Sequence, residues 1–135
     1  MISQGQTTSF KEQLYQGVHN FLTDTIKIAL YTANADLIAS TTVYTTTEEI
    51  TGTGYTAGGN ILQNPLVSSS NDTAYITFDN TSWSPAAFTC RCALIYNGTT
   101  NAAVAVLDFG SDKTSSNFTI TFPAATSTTA VLRYS

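Results

Sequence analysis

The chain has 135 residues, enough for one domain with a real hydrophobic core. Only 10% of them are charged, 25 are threonine, and the net charge is −4 with five lysines and arginines in total. That balance excludes binding to nucleic acid or an anionic membrane through a basic patch, and the 42% apolar share excludes a disordered polar tract.

The opening MISQGQTTSF has neither a basic region nor an apolar run, so no secretory signal is expected. The longest aliphatic run, Ala102 to Leu107, falls far short of the roughly 20 residues that span a bilayer. The expectation is a soluble protein made in a cytoplasm, leaving by lysis or inside a particle. Next, TTSFKEQLYQGVHNFL reads as the one helix. Ser9 and Glu12 have capping-box spacing, and Phe10, Leu14, Val18 and Phe21 recur as a single apolar stripe. Gly17 weakens that helix by about 1 kcal/mol relative to alanine, so packing must hold it. His19, the only histidine, lies beside the stripe with no serine or cysteine nearby in sequence to make it a triad base.

TIKIALYT (Thr25 to Thr32) alternates, with Ile26, Ile28 and Leu30 on one face and Lys27, Ala29 and Tyr31 on the other, the pattern of a half-buried strand. TANADLIAS reads as loop and TTVYTT as a short-strand candidate. GTGYTAGGN then places Gly52, Gly54, Gly58 and Gly59 close together. A phosphate loop needs lysine and a hydroxyl residue after its last glycine, but Asn60 and Ile61 stand there. A dinucleotide loop needs G-x-G-x-x-G opening a helix; the spacing is one residue out and NILQNP cannot be that helix. These glycines are therefore expected to serve the backbone, supplying positive φ where the chain turns, and no cofactor is expected.

ILQNPLV contains Pro65, which allows an edge strand or none. AYITFD alternates. Trp83, in NTSWSP, reads as a core or rim residue, with a carbohydrate platform as the other option. FTCRCALIY puts Phe88, Cys90, Cys92, Leu94 and Tyr96 on one face. Cysteines two apart on a strand have Cα atoms about 6.6–7 Å apart, at the limit for a disulfide, and a metal site would need further ligands. Two small buried side chains are the expectation. NGTTN is a turn, its Asn-Gly favouring positive φ, and AAVAVLDF completes a hairpin. GSDKTSSN reads as loop, FTITF as a strand, Pro123 as a stop and TAVLRY as the last strand.

The carboxylates are mostly loop residues, Asp36, Glu48, Glu49, Asp72 and Asp112 among them. No calcium-loop spacing joins Glu48 and Glu49, and a glycosidase pair could only be assembled by the fold. The N-x-[ST] matches at Asn71, Asn80, Asn97 and Asn117 are close to chance in so Ser- and Thr-rich a chain. Seven or so short strands, one helix and no βαβ rhythm predict a mainly β protein. It would be a single domain over 1–135, an antiparallel sandwich or barrel-like fold with an N-terminal segment and helix over 1–22.

The ordered segments SFKEQLYQGVHNF, TIKIALYTANADLIASTTVYTTTEEITGTGYTAGG and ALIYNGTTNAAVAVLDFGSDKTSSNFTITFP resemble a widespread group of small structural proteins of tailed bacteriophages. The resemblance runs from Ser9 to Pro123, and GTGYTAGG and AVAVLDFG match best. It implies a non-enzymatic virion structural protein with no catalytic, metal or cofactor residues. The leading role is a capsid decoration or cement protein on the outer surface of the shell, bound to the major capsid protein. Shell symmetry favours trimers at three-fold positions or dimers at two-fold ones, of which the trimer is the preferred expectation, with MISQGQ and RYS as candidate contacting ends. The alternative is a tail or baseplate component meeting the host surface, where Trp83, Tyr55 and Tyr75 would meet sugar. A small hydrolase is the third reading, resting on unplaced carboxylates alone.

Overall fold

The computed structural model describes residues 1–123, 126 and 130–134. In chain order the elements are β1 (Gly5–Gln6), α1 (Thr8–Gln16), β2 (Ile26–Tyr31), β3 (Asn60–Ile61), β4 (Leu66–Ser70), β5 (Thr73–Thr77), β6 (Thr81–Trp83), β7 (Thr89–Asn97), β8 (Ala102–Thr114), β9 (Phe118–Ile120) and β10 (Leu132–Tyr134). They form a five-stranded sheet in the order β1-β8-β7-β2-β3, a three-stranded sheet β10-β5-β4 and the pair β6-β9. Every ladder is antiparallel. The chain is thus mainly β with one short helix, as expected, and among the described residues no sheet closes into a barrel. Thr129, first residue of the expected last strand, and Ser135 lie outside the described residues.

The helix is shorter than its apolar stripe suggests, and it starts on a different cap. Thr7, not Ser9, is the N-cap: its Oγ1 accepts from the Phe10 amide at 3.2 Å and donates to the Ala103 carbonyl at 3.2 Å. The Thr7 amide donates to Val104 at 2.9 Å, so the β1–β8 ladder runs straight into the cap and fixes where the helix begins. The helix stops at Gln16 because Gly17 turns left-handed, at φ 70°. The Gly17 amide then donates to Leu14 and the Val18 amide to Gln13, a Schellman closure. Gly17 is thus a terminator, and the expected helical run to Phe21 is cut after three turns or fewer. Phe10 and Phe21 are in the core, while Leu14 packs on it only partly buried and Val18 is half-buried beyond the helix end.

β2 was expected to be half-buried, but both its faces are covered. Ile26, Ile28 and Leu30 join the larger core cluster; Ala29 and Tyr31 join a second one on the opposite face. A central position between β7 and β3 explains this. On β7 the expected single face is split. Cys90 packs in the larger cluster with Ala93 and Ile95, and Cys92 in the other with Leu94 and Tyr96. The cause is a register break: Cys90 pairs with Lys113 but Cys92 with Asp108. The excursion on β8 is held by the Asp108 carboxylate, which accepts from Gly110 N at 2.9 Å and Arg91 Nε at 3.1 Å. Bulges of this kind re-aim side chains.

For the same reason the segment expected as a loop after Phe109 is strand as far as Thr114. The β7–β8 hairpin itself is present, but positive φ falls on Asn101, at 63°, and not on the Asn-Gly pair. TTVYTT supplies only an isolated bridge between Val43 and Ala102. The larger cluster lies between the five-stranded sheet and the smaller sheets, where Phe78, Trp83, Phe118, Phe122 and Leu132 meet β2, β7 and β8. Among the described residues of the two expected contacting ends, Ile2 makes an isolated bridge to Leu37, Gln6 sits in β1, and Arg133 and Tyr134 sit in β10.

Candidate interaction surface

The glycine loop is shaped by close approach. Gly54 has φ 89°, and a Cβ there would stand 1.8 Å from the Pro85 carbonyl oxygen; Gly59 has φ 79°, and a Cβ would stand 1.8 Å from that of Ile28. Gly52 lies against Ala87. The Gly58 amide donates to Glu49 Oε2 at 2.7 Å and its carbonyl accepts from Tyr96 Oη at 2.6 Å. The loop amides thus serve the protein's own groups.

Glu49 is the hub of that loop. Its Oε1 accepts from Tyr44 Oη and its Oε2 from Tyr55 Oη, each at 2.5 Å, in addition to the Gly58 amide. Tyr55 Oη accepts in turn from the Leu30 amide at 3.1 Å. Tyr44 stacks on Tyr96 with ring centroids 4.5 Å apart. Burial, followed by the hydrogen bond to the Glu49 carboxylate, pushes the Tyr44 and Tyr55 phenols well above their ordinary range. Burial pushes Tyr96 up to about 12, with the Glu49 charge adding to it. The phenols therefore stay protonated and donate, which makes the cluster a clasp between β2 and the loop. Glu48, beside it in sequence, turns elsewhere and accepts from Thr32 Oγ1 at 2.7 Å.

The only histidine is engaged at both ring nitrogens. Asn97 Nδ2 donates to His19 Nδ1 at 3.0 Å and to Asp24 Oδ2 at 2.8 Å, and His19 Nε2 meets Gln13 Oε1 at 2.8 Å. The neutral ring with its proton on Nε2 satisfies all these contacts. Burial lowers the His19 pKa, partly opposed by the Asp24 charge. Asp24 is itself held below the ordinary carboxylate range by the Asn20 amide and then Asn97. Fully buried Asn97 thus ties the chain after the helix to the β7–β8 turn, a contact invisible in sequence because it joins residues 78 apart. Cys90 and Cys92 are fully buried thiols, raised by burial to about 12 and about 11. Among the described residues no three His, Cys, Asp or Glu side chains gather in a metal-binding group.

Of the aromatic residues suggested as sugar contacts, Trp83 is only 3% exposed, stacked on Tyr55 and tilted against Phe118. Its rings are core, and they cannot form a carbohydrate platform. Its Nε1 finds no acceptor among the described residues. Tyr55 belongs to the Glu49 clasp, and Tyr75 is half-buried on β5. The three do not form one surface.

What the surface does offer is β4. It is the edge of its sheet, all five of its residues are exposed, and none is charged. Across the sheet Val67 pairs with Ile76 and Ile76 with Leu132; Leu132 is buried, Ile76 partly buried and Val67 47% exposed. Apolar burial therefore runs out toward the edge. Leu66, at 48% exposure, adjoins it on the strand, and on the far side Tyr134 meets 81% exposed Tyr15 of α1 edge-on. Val67, Leu14, Tyr75 and Tyr134 also line one apolar cleft of about 140 Å³. Edge strands of soluble proteins are commonly blunted by charge, proline or bulges; here only Pro65, just before β4, serves that purpose. The hairpin was missed in sequence, although Asn71 and Asp72, at φ 51° and 63°, are apt residues for its two-residue turn. No protein-family model, curated protein or solved structure matches the chain.

Proposed function

We propose that this is a non-enzymatic virion structural protein, a capsid decoration or cement protein that binds the assembled shell of a tailed phage. The observation that carries the reading is the uncharged edge strand β4, exposed at every residue, with half-exposed Leu66 and Val67 at its start. A strand of that kind suits backbone pairing with a neighbouring chain. Further support comes from the groups capable of chemistry: Glu49 and His19 hold loops in place and both thiols are buried. The resemblance of GTGYTAGG and AVAVLDFG to phage structural proteins points the same way. The partners are then the major capsid protein and further copies of this chain, as a trimer at three-fold positions of the shell. A protein that binds only the assembled shell stabilises it by linkage.

Quantifying the chain in purified particles tests the reading. A copy number on the order of hundreds fits a repeated shell position, whereas a few dozen would move the protein to the tail, and absence from particles would end the proposal.

A further inference from the structure

Taking β4 as the edge that meets a neighbouring chain, we propose that it selects one kind of extended segment. That segment runs antiparallel to β4, with a bulky apolar residue opposite Val67, uncharged residues along the rest of the strand and a basic residue beyond each end. The turn into β5 settles which main-chain groups are open to it. Asn71 and Asp72 both have positive φ, and Ser70 pairs with Thr73, the pattern of a two-residue type I′ hairpin. Ser70 and Thr73 therefore exchange both their bonds, and so do Ser68 with Tyr75 and Leu66 with Thr77. Alternation turns the N–H and C=O of Val67 and Ser69 the other way, where β4 has no strand beside it among the described residues. An antiparallel segment exchanges two bonds with each of them. Main-chain bonds of this kind supply affinity, and alternate side chains supply specificity.

The side chains follow from what lies beside that edge. Val67 shares its face of the sheet with Ile76 and Leu132, in one row across three strands. The segment's residue opposite Val67 becomes the fourth member of that row and covers Val67, which is 47% exposed. Val67 and half-buried Leu14 of α1 are walls of the apolar cleft of about 140 Å³ on this face. A cavity of about 150 Å³ between apolar side chains takes one benzene ring, so a single leucine or phenylalanine side chain suits the opening. Charge sets the ends. β4 itself carries none, but a carboxylate stands beyond each end of it: Asp72 in the turn after Ser70, and Asp79, which accepts from Asn64 Nδ2 at 2.5 Å, just before the strand starts. Both are exposed, and neither is in an ion pair among the described residues. Basic residues flanking the segment thus meet opposite charge, and acidic ones meet repulsion.

The test is fluorescence polarisation of a labelled peptide titrated with the full chain. The peptide has lysine at both ends, leucine at the fifth of seven positions and threonine elsewhere, so that its leucine falls opposite Val67. Saturable binding is expected, weakened by salt. It should fall at least about tenfold when serine replaces the leucine, and clearly when glutamate replaces both lysines. Methylating the leucine amide nitrogen removes its bond to Val67 and should abolish binding. Hydrogen exchange should slow at the Val67 and Ser69 amides in the complex. Equal binding of the serine or glutamate peptides, with those two amides still protected, would overturn the proposed selection and leave β4 as a pairing edge. Undiminished binding after methylation, or binding without protection of Val67 and Ser69, would overturn the proposal and the role of the edge with it. Failure of the parent peptide to bind would overturn the proposal alone, since copy number in purified particles tests the virion reading separately.

Discussion

The Tyr55 hydroxyl stands between the Glu49 carboxylate and the Leu30 amide, donating to the first at 2.5 Å and accepting from the second at 3.1 Å. One phenol thus fastens the glycine loop to the C-terminal part of β2. Tyr55→Phe removes both bonds and leaves the Leu30 N–H without its partner, so it should cost about 1–3 kcal/mol in urea unfolding. Glu49→Gln should cost more than Tyr44→Phe, because an amide NH₂ would then face the donors that the carboxylate now receives. Losses below about 0.5 kcal/mol, the range of ordinary surface substitutions, would mean that the clasp does not hold the loop.

The glycines separate conformational freedom from close approach. Gly110 has φ 81° with open space around its Cα, so Gly110→Ala should cost about 1–2 kcal/mol, the penalty for a left-handed alanine. Gly54→Ala and Gly59→Ala carry that penalty and also drive a methyl into the Pro85 and Ile28 carbonyls. Both should melt well below Gly110→Ala. ATP should leave the melting temperature of the native chain unchanged, and a clear upward shift would contradict the backbone role of this loop.

Stability should fall on both sides of a plateau between pH 6.5 and 9.0, the ordinary values of the groups that bound it. On the acid side, His19 has a lowered pKa in the folded protein. The unfolded chain then takes the proton first, and stability present above pH 6.5 is lost as pH falls toward the folded value. Asp24 adds a second loss below 3.8. On the alkaline side, Cys92 is raised to about 11 and Cys90 and Tyr96 to about 12, so their contributions are intact below 9.0 for the thiols and 10.0 for the phenol and vanish as pH rises through the folded values. Urea midpoints across pH measure this, and His19→Gln should flatten the slope just below pH 6.5.

Cys90 and Cys92 face opposite sides of the five-stranded sheet, so oxidation within one native chain should not join them. A thiol reagent at pH 8 should titrate neither in the folded protein and both in denaturant. Rapid reaction of either in the native state would mean that the hairpin opens.

The β class, the single short helix and the β7–β8 hairpin were legible because each has a period or a turn that acts locally. In sequence Gly17 has the look of a weak point inside the helix, whereas it is the helix end, and only the Schellman bonds from Gly17 and Val18 distinguish the two. The split of Cys90 from Cys92 depends on the bulge opposite Arg91, where Asp108 and Gly110 hold the neighbouring strand out of register. Alternation along one strand cannot anticipate a register break set by another. The role of Glu49 has no sequence signature: Tyr44, Tyr55 and the Gly58 amide lie only five, six and nine residues from it, but at spacings that match no motif, and only the folded loop turns all three onto one carboxylate. Pro65 admits an edge strand without requiring one, and the serines that make up most of β4 carry too little apolar signal to decide it.

Hydrogen exchange at the β4 amides, compared between the free protein and purified particles that carry it, bears most directly on the proposed role. Slowed exchange over Leu66–Ser70 on the particle, with the core amides unchanged, is the expected result. Equal exchange there in both states would show that this edge is not what holds the protein to its neighbours.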